Sequence, residues 1–140
     1  MIKEAYVSFE VAKLLKEKGF DEKCQKVYLD NGKLMWFTNF MEGESFGDNA
    51  DINTAINYDN SITSAYLCPT HQVALAWLRE VHGLSVETFS IKGTSNTCPV
   101  LWKSNVIKLL TQDRVFSGEL IGSYEEAIET ALKYSLENLI

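Results

Sequence analysis

Three amphipathic segments, each with its own start and stop signals, constrain the fold of this chain more than any other feature. Each begins at a residue whose hydroxyl can accept a hydrogen bond from the unpaired N–H groups of a helix N-terminus. The first two end at a glycine that suits the left-handed position after a helix. The starting residues are Ser8, Thr70 and Ser123, and the glycines are Gly19 and Gly83. In the third segment Glu126 stands three residues after Ser123, the spacing of a capping box, so we predict three helices.

Apolar residues recur in each segment at the spacing of one helical face. The predicted buried stripes are Val11, Leu14 and Leu15 in the first segment, Val73, Ala74, Trp77, Leu78 and Val81 in the second, and Tyr124, Ala127, Ile128, Ala131, Leu132, Leu136 and Leu139 in the third. The same spacing directs Leu75, Ala76 and Tyr134 outward, where a contiguous apolar patch would mark a contact surface, for example in a homodimer.

Strand and turn signals fill the intervals between the predicted helices. The predicted strands are residues 26–29, 33–37, 84–91 and 100–110. Asn31 and Gly32, between the first two strands, tolerate the positive φ that a tight hairpin turn requires. Residues 112–117 are typical of a turn, with a short final strand at Val115 and Phe116 as the alternative.

These elements predict an α+β fold in the order α-β-β-α-β-β-α. Hairpin connections favour an antiparallel or mixed sheet, here of about four to five strands, packed with the three helices. We predict that residues 1–140 form a single globular domain, because this length is typical of one domain and no Pro-rich linker divides it. Residues 39–64 show no clear period and form a long irregular acidic segment, and loops of that length usually serve a function.

The distribution of charge argues against two classes of partner. Net charge is −6 at neutral pH, and no basic cluster is free of interleaved acids. Nucleic acids and anionic membranes attract clustered Lys and Arg, so we predict neither as a partner. No apolar run reaches the roughly 20 residues that span a bilayer. The start also lacks the apolar stretch of a signal peptide, which predicts a cytoplasmic protein.

One acidic stretch is a candidate partner surface. Between Lys33 and Arg79 there is no Lys or Arg, whereas five acids lie there: Glu42, Glu44, Asp48, Asp51 and Asp59. Binding residues often lie on loops that a rigid scaffold presents. We therefore predict that these five side chains contact a protein partner.

The three cysteines, Cys24, Cys68 and Cys98, are odd in number and too widely spaced for a disulfide framework, and we expect small, partly buried thiols. Cys68 and His71 have a Cys-x-x-His spacing and are the residues best placed to begin a zinc site. Structural zinc sites require a second close pair, which this chain lacks. We therefore predict no metal, with Cys68 buried ahead of the second helix and His71 exposed in its first turn.

No set of residues predicts catalysis. Asp48, Asp51 and Asn53 do not have the spacing of an EF-hand calcium loop. His71 or His82 could activate a cysteine only through tertiary contacts that the sequence does not reveal. A phosphate-binding glycine loop and a nucleophile elbow are both absent from the sequence. We predict no cofactor and favour a protein that is not an enzyme.

The three helical segments, residues 8–20, 69–82 and 123–132, together resemble a group of small proteins of gut Bacteroidales. Many members of that group are encoded by phages or other mobile elements. The resemblance implies a prophage or mobile-element origin and is consistent with three helices. The group has no assigned activity, so no functional residue is transferred.

Two functional hypotheses follow. The first is a non-enzymatic cytoplasmic accessory or protein-interaction domain of phage or mobile-element origin, which acts through a protein partner or as a homodimer. The alternative is a small-ligand-binding domain or minor enzyme whose cleft lies between residues 39–64 and the sheet. A flat apolar patch would favour the first, and a deep pocket with a perturbed titratable group would favour the second.

Overall fold

The computed structural model describes residues 2–36 and 65–140, without the side chains of residues 35 and 36. Backbone contacts divide the chain into two compact units: unit A is Tyr6–Thr70, and unit B is Met1–Ala5 with His71–Ile140. The prediction of a single domain over residues 1–140 stays a prediction. Residues 39–64, predicted to be a long irregular segment, lie outside the described residues.

Unit A contains helix α1 (Phe9–Glu17) and a three-stranded antiparallel sheet in the order β2-β1-β3. The strands are β1 (Lys26–Leu29), β2 (Leu34–Trp36) and β3 (Ala65–Cys68). In the central strand β1, Val27 is fully buried and lies opposite Met35 on one side and Leu67 on the other. At its ends, unit A closes on itself, since Tyr6 pairs with Thr70 and the Val7 amide donates to the Pro69 carbonyl.

The boundaries of α1 confirm the signals in its sequence. Ser8 Oγ accepts a hydrogen bond from the Val11 amide at 3.2 Å, as an N-cap should. Gly19 follows the helix with a φ of +87°, the left-handed conformation in which a side chain would be strained. Phe20 then folds back, is 6% exposed and donates its amide to the Leu15 carbonyl at 3.0 Å.

The predicted hairpin between β1 and β2 is also confirmed. Gly32 has a φ of +83°, and its amide donates to the Leu29 carbonyl at 2.9 Å. The Asn31 side chain accepts a hydrogen bond from the Lys33 amide at 2.9 Å, which stabilises the turn. The turn fixes the register in which Tyr28 lies opposite Leu34.

Unit B contains two further helices and a second three-stranded antiparallel sheet, in the order β4-β5-β6. Its elements are α2 (His71–His82), β4 (Leu84–Lys92), β5 (Val100–Lys108), β6 (Asp113–Ser117) and α3 (Tyr124–Tyr134), which continues as a π-helical turn (Ser135–Leu139). Unit B also includes the start of the chain, because the His71 amide donates to the Ala5 carbonyl at 2.9 Å.

The α+β class with three helices is confirmed in the described residues, but the predicted strand arrangement is wrong. In the described residues the order is α-β-β-β-α-β-β-β-α, and their six strands form two sheets rather than one sheet of about four to five strands. Strand β3 has only four residues and was absent from the predicted order. Strand β6 occupies most of the stretch predicted as a turn and contains Val115 and Phe116, so the alternative of a short final strand is confirmed, whereas Gln112, with a φ of +61°, keeps turn geometry.

The buried stripe of α3 matches its sequence pattern except at the first residue of the helix, Tyr124, which is 43% exposed, and the stripe of α2 matches only in part. Ala127, Ile128, Ala131, Leu132 and Leu136 are each at most 2% exposed. In α2 the buried apolar residues are Ala74, Trp77 and Leu78, and Val73 and Val81 are 40% and 59% exposed. The apolar arc of α2 is wider than the side that packs, so these two valines face solvent, contrary to prediction.

No helix in the described parts of the chain is long and apolar enough to cross a membrane.

Candidate interaction surface

One face of the β4-β5-β6 sheet is covered by α3. Residues that lie directly opposite each other in an antiparallel pair share a face. Val86 lies opposite Val106, and Ser90 lies opposite Trp102. The Trp102 ring contacts the Tyr124 ring at the start of α3, with centroids 5.1 Å apart, and Val106 is fully buried. This covered face is the packed side of the sheet.

The opposite face carries apolar side chains that remain partly in contact with solvent. On this side Phe89 lies opposite Lys103, Ile91 opposite Leu101, and Ser85 opposite Ile107. Phe89 and Ile91 are each 40% exposed, and Leu101 and Ile107 are half-buried. We call this surface the outer face and define it by Glu87, Phe89, Ile91, Leu101, Lys103, Asn105, Ile107 and Arg114.

A buried polar group lies in the middle strand of the outer face. Asn105 is 9% exposed and lies between Glu87 on β4 and Ser117 on β6. Its Oδ1 atom has no hydrogen-bond partner among the described residues. A buried acceptor without a donor costs about 1–3 kcal/mol.

The charges of the outer face differ in sign from those of the whole chain. Lys103 and Arg114 contribute two positive charges and Glu87 one negative charge, which leaves +1 on a chain whose net charge is −6. Lys103 lies on the middle strand β5, between Leu101 and Asn105, and Arg114 lies on the edge strand β6. Arginine and aromatic residues are enriched in protein interfaces.

Two of the three cysteines are buried in unit A. Cys24 is 4% exposed and donates its thiol to the Glu22 carbonyl at 3.3 Å, while Cys68 is fully buried and donates to the Val7 carbonyl at 3.5 Å. Burial raises the pKa of Cys24 to about 12, with further contributions from the Cys68 thiol and the Glu22 carboxylate. A thiol with so high a pKa is protonated at neutral pH and therefore a poor nucleophile. Cys98 is half-buried, so the expectation of partly buried thiols is confirmed for all three cysteines.

We expect the Cys24 proton to make stability depend on alkaline pH. The folded-state pKa of about 12 lies above the reference value of 9.0, so this contribution is complete below pH 9 and is lost as pH rises toward 12. The slope should be about 1.4 kcal/mol per pH unit across that interval. Urea denaturation between pH 8.5 and 11 measures it.

Cys24→Ala should reduce this slope, whereas Cys98→Ala, at a half-exposed position, should leave it unchanged. Iodoacetamide at pH 8 should accordingly label Cys98 well before Cys24. Equal slopes for the wild type and Cys24→Ala would contradict the assignment.

His71 is not in the exposed position that its sequence predicted. It is 7% exposed, and its Nε2 atom lies 2.8 Å from Oε1 of Glu129 on α3. The first turn of α2 packs near α3, so the imidazole is enclosed and needs a polar partner, which Glu129 supplies. The sequence could not reveal this pair, since its members are 58 residues apart.

The remaining predicted site residues divide into two groups. Cys68 is buried as predicted, and residues 2–36 and 65–140 contain no group of three or more His, Cys, Asp or Glu side chains that could hold a metal ion. The acidic residues predicted to contact a partner, Glu42, Glu44, Asp48, Asp51 and Asp59, lie outside the described residues, as does one wall of the cleft predicted beside residues 39–64. The contact of these acidic residues with a partner and the cleft beside residues 39–64 both stay predictions.

The chain was compared with protein-family models, curated proteins and solved structures, and none of them matches it.

Proposed function

We propose that the protein is a non-enzymatic cytoplasmic accessory domain, of phage or mobile-element origin, that acts by binding another protein. The outer face of the β4-β5-β6 sheet supports this proposal more than any other observation. Phe89 and Ile91 are each 40% exposed there, beside the half-buried Leu101. Monomeric soluble proteins seldom expose contiguous apolar patches, and such patches mark contact sites.

The shape of the outer face favours a protein partner over a small ligand. Phe89, Ile91 and Leu101 project from two adjacent strands that pair over nine residues each. A strand face of this kind is broad and open, whereas small-molecule sites are concave and enclose their ligands. Lys103 on the middle strand β5 and Arg114 on the edge strand β6 suit an apolar partner surface that also carries acidic side chains.

The acidic residues Glu42, Glu44, Asp48, Asp51 and Asp59 are proposed, from sequence alone, as a second contact region for the same partner. They carry charge opposite to that of Lys103 and Arg114, so the two regions would select different parts of the partner. Deleting residues 42–60 should abolish capture of the partner while leaving the circular dichroism spectrum of the helices intact. Loss of the helical signal on deletion would contradict this division of roles.

We expect the double variant Phe89→Glu/Ile91→Glu to lose capture of the partner by at least about tenfold, because buried charges in an apolar contact are costly. The measurement is a quantitative pull-down from lysate of the native host, with light scattering to detect self-association. The matched control is Leu110→Glu, since Leu110 is 97% exposed but lies in the turn between β5 and β6. If the double variant captures the partner and self-associates to the same extent as Leu110→Glu, the outer face is not the contact surface.

A further inference from the structure

A groove runs along the edge of unit B, between the end of strand β6 and helix α3. The groove is open to solvent and has a volume of about 570 Å³, and Phe116, Ser117, Gly118 and Glu119 line one wall. Helix α3 and its π-helical turn line the other wall, with Thr130, Lys133, Tyr134 and Glu137 at helical spacing. This volume falls within the range of known ligand sites, which is roughly 300–1,000 Å³.

Two stacked aromatic rings link the walls of the groove. The Phe116 and Tyr134 rings have centroids 4.2 Å apart and planes inclined by 16°, and both side chains are half-buried. Both rings line the groove, so part of their surface is available to a bound molecule. The faces of aromatic rings attract cations, and the planar guanidinium of arginine stacks on them most readily.

The charges around these rings also favour a cation. Glu119 and Glu137 line the groove with Lys133, which gives a net charge of −1. The Lys133 Nζ atom lies 3.9 Å from Glu137 Oε1, so the lysine charge is partly offset by that carboxylate. The chain as a whole carries −6, which adds a long-range attraction for a basic ligand.

Among the described residues, the β6 wall of the groove is a sheet edge. Strand β6 is last in the order β4-β5-β6, and beyond it the chain continues along β5, where the Gly118 amide donates to the Ser104 carbonyl at 2.9 Å. A side chain at Gly118 would approach that carbonyl oxygen to 2.8 Å, so glycine keeps the segment close to β5. Sheet edges flanked by a groove bind extended peptides through main-chain hydrogen bonds, and pockets for alternate side chains give specificity.

We propose that this groove binds an extended peptide segment of another protein, which adds to the edge beyond β6 and places an arginine side chain on the Phe116–Tyr134 rings. The carboxylates of Glu119 and Glu137 face the guanidinium, and the flanking peptide backbone follows the sheet edge. This surface is separate from the outer face, so the proposal stands whether or not that face binds a partner.

The test uses a heptapeptide of alternating threonine and valine with a central arginine, acetylated and amidated at its ends. We expect it to shift the amide resonances of residues 116–121 and 130–137 and to bind at least about fivefold more tightly than the same peptide with citrulline at the centre. N-acetylarginine amide, which lacks the strand, should bind more weakly than the peptide. Absence of these shifts at millimolar peptide, equal binding of the citrulline peptide, or equal binding of N-acetylarginine amide would each overturn the proposal.

Variants of the groove sharpen the test because they move affinity in opposite directions. Tyr134→Ala should weaken binding at least about fivefold and Glu119→Gln about threefold, whereas Lys133→Gln should strengthen it about twofold. Glu80→Gln makes the same charge change on an exposed position of α2 outside the groove and should leave affinity unchanged. If Tyr134→Ala does not fold, Glu119→Gln and Lys133→Gln still decide the result, and equal affinity in these two variants would refute the site.

Discussion

Replacing Leu132 with alanine should lower the free energy of unfolding by about 2–5 kcal/mol. Leu132 is fully buried on α3, between Ile128 and Leu136, which are at most 2% exposed. Removing its side chain leaves a cavity in the layer where α3 packs on β5, and the surrounding rigid helix can close only part of it. Urea denaturation followed by circular dichroism at 222 nm measures the change.

The matched control for Leu132 is Leu110→Ala. Leu110 has the same side chain but is 97% exposed, so its truncation should change the free energy of unfolding by less than about 0.5 kcal/mol. The difference between the two variants isolates burial from the intrinsic properties of leucine. A loss of similar size in both would mean that the apolar stripe of α3 does not face a core.

Replacing His71 with alanine should cost about 1–3 kcal/mol, because the Glu129 carboxylate loses the hydrogen bond from a nearly enclosed imidazole. The His71 and Glu129 side chains are 9% and 23% exposed, so water replaces the lost partner only in part. A double-mutant cycle with His71→Ala and Glu129→Ala should give a coupling energy of about 0.5–3 kcal/mol. Thermal and urea denaturation of the wild type, the two single variants and the double variant measure this coupling energy.

An exposed ion pair on the same helix serves as the control for this cycle. Lys133 and Glu137 are 3.9 Å apart and 44% and 42% exposed, so their coupling should not exceed about 0.5 kcal/mol. The apolar double variant His71→Leu/Glu129→Met should retain most of the stability, since replacing both members of a buried polar pair avoids leaving either unpaired. Equal coupling in the two cycles would show that the enclosure of His71 has no energetic consequence.

Local signals in the sequence predicted most helix boundaries and the first hairpin correctly. Ser8 and Ser123 each accept the expected hydrogen bond from an amide three residues ahead, at 3.2 and 3.3 Å. Gly19 and Gly32 have the positive φ that their positions required. These features depend on residues within one turn of each other, so a short stretch of sequence is enough to predict them.

Features that depend on distant residues could not be predicted. Periodicity placed Val81 on the buried side of α2, but Val81 is 59% exposed. The packing of other elements decides which part of an apolar helix face is covered, and the sequence of the helix alone does not show it. The burial of His71 follows from Glu129, far along the chain. The outer face was not foreseen either, because Phe89 and Lys103 come together only through the register of β4 and β5. The groove beside β6 likewise required knowing that β6 is a strand.

The ends of unit A give the chain a particular topology. Tyr6 and Thr70 pair with each other, and the next residue outward at each end, Ala5 and His71, is joined by a backbone hydrogen bond. Residues 6–70 are thus a block whose entry and exit points adjoin, nested within the sequence of unit B. A segment with adjoining ends can be inserted into a host fold, or exchanged for another, with few disturbances at the junction. The chain therefore passes from one unit to the other at two adjoining positions, residues 5–6 and 70–71, and a replacement of unit A would need to match only these two junctions.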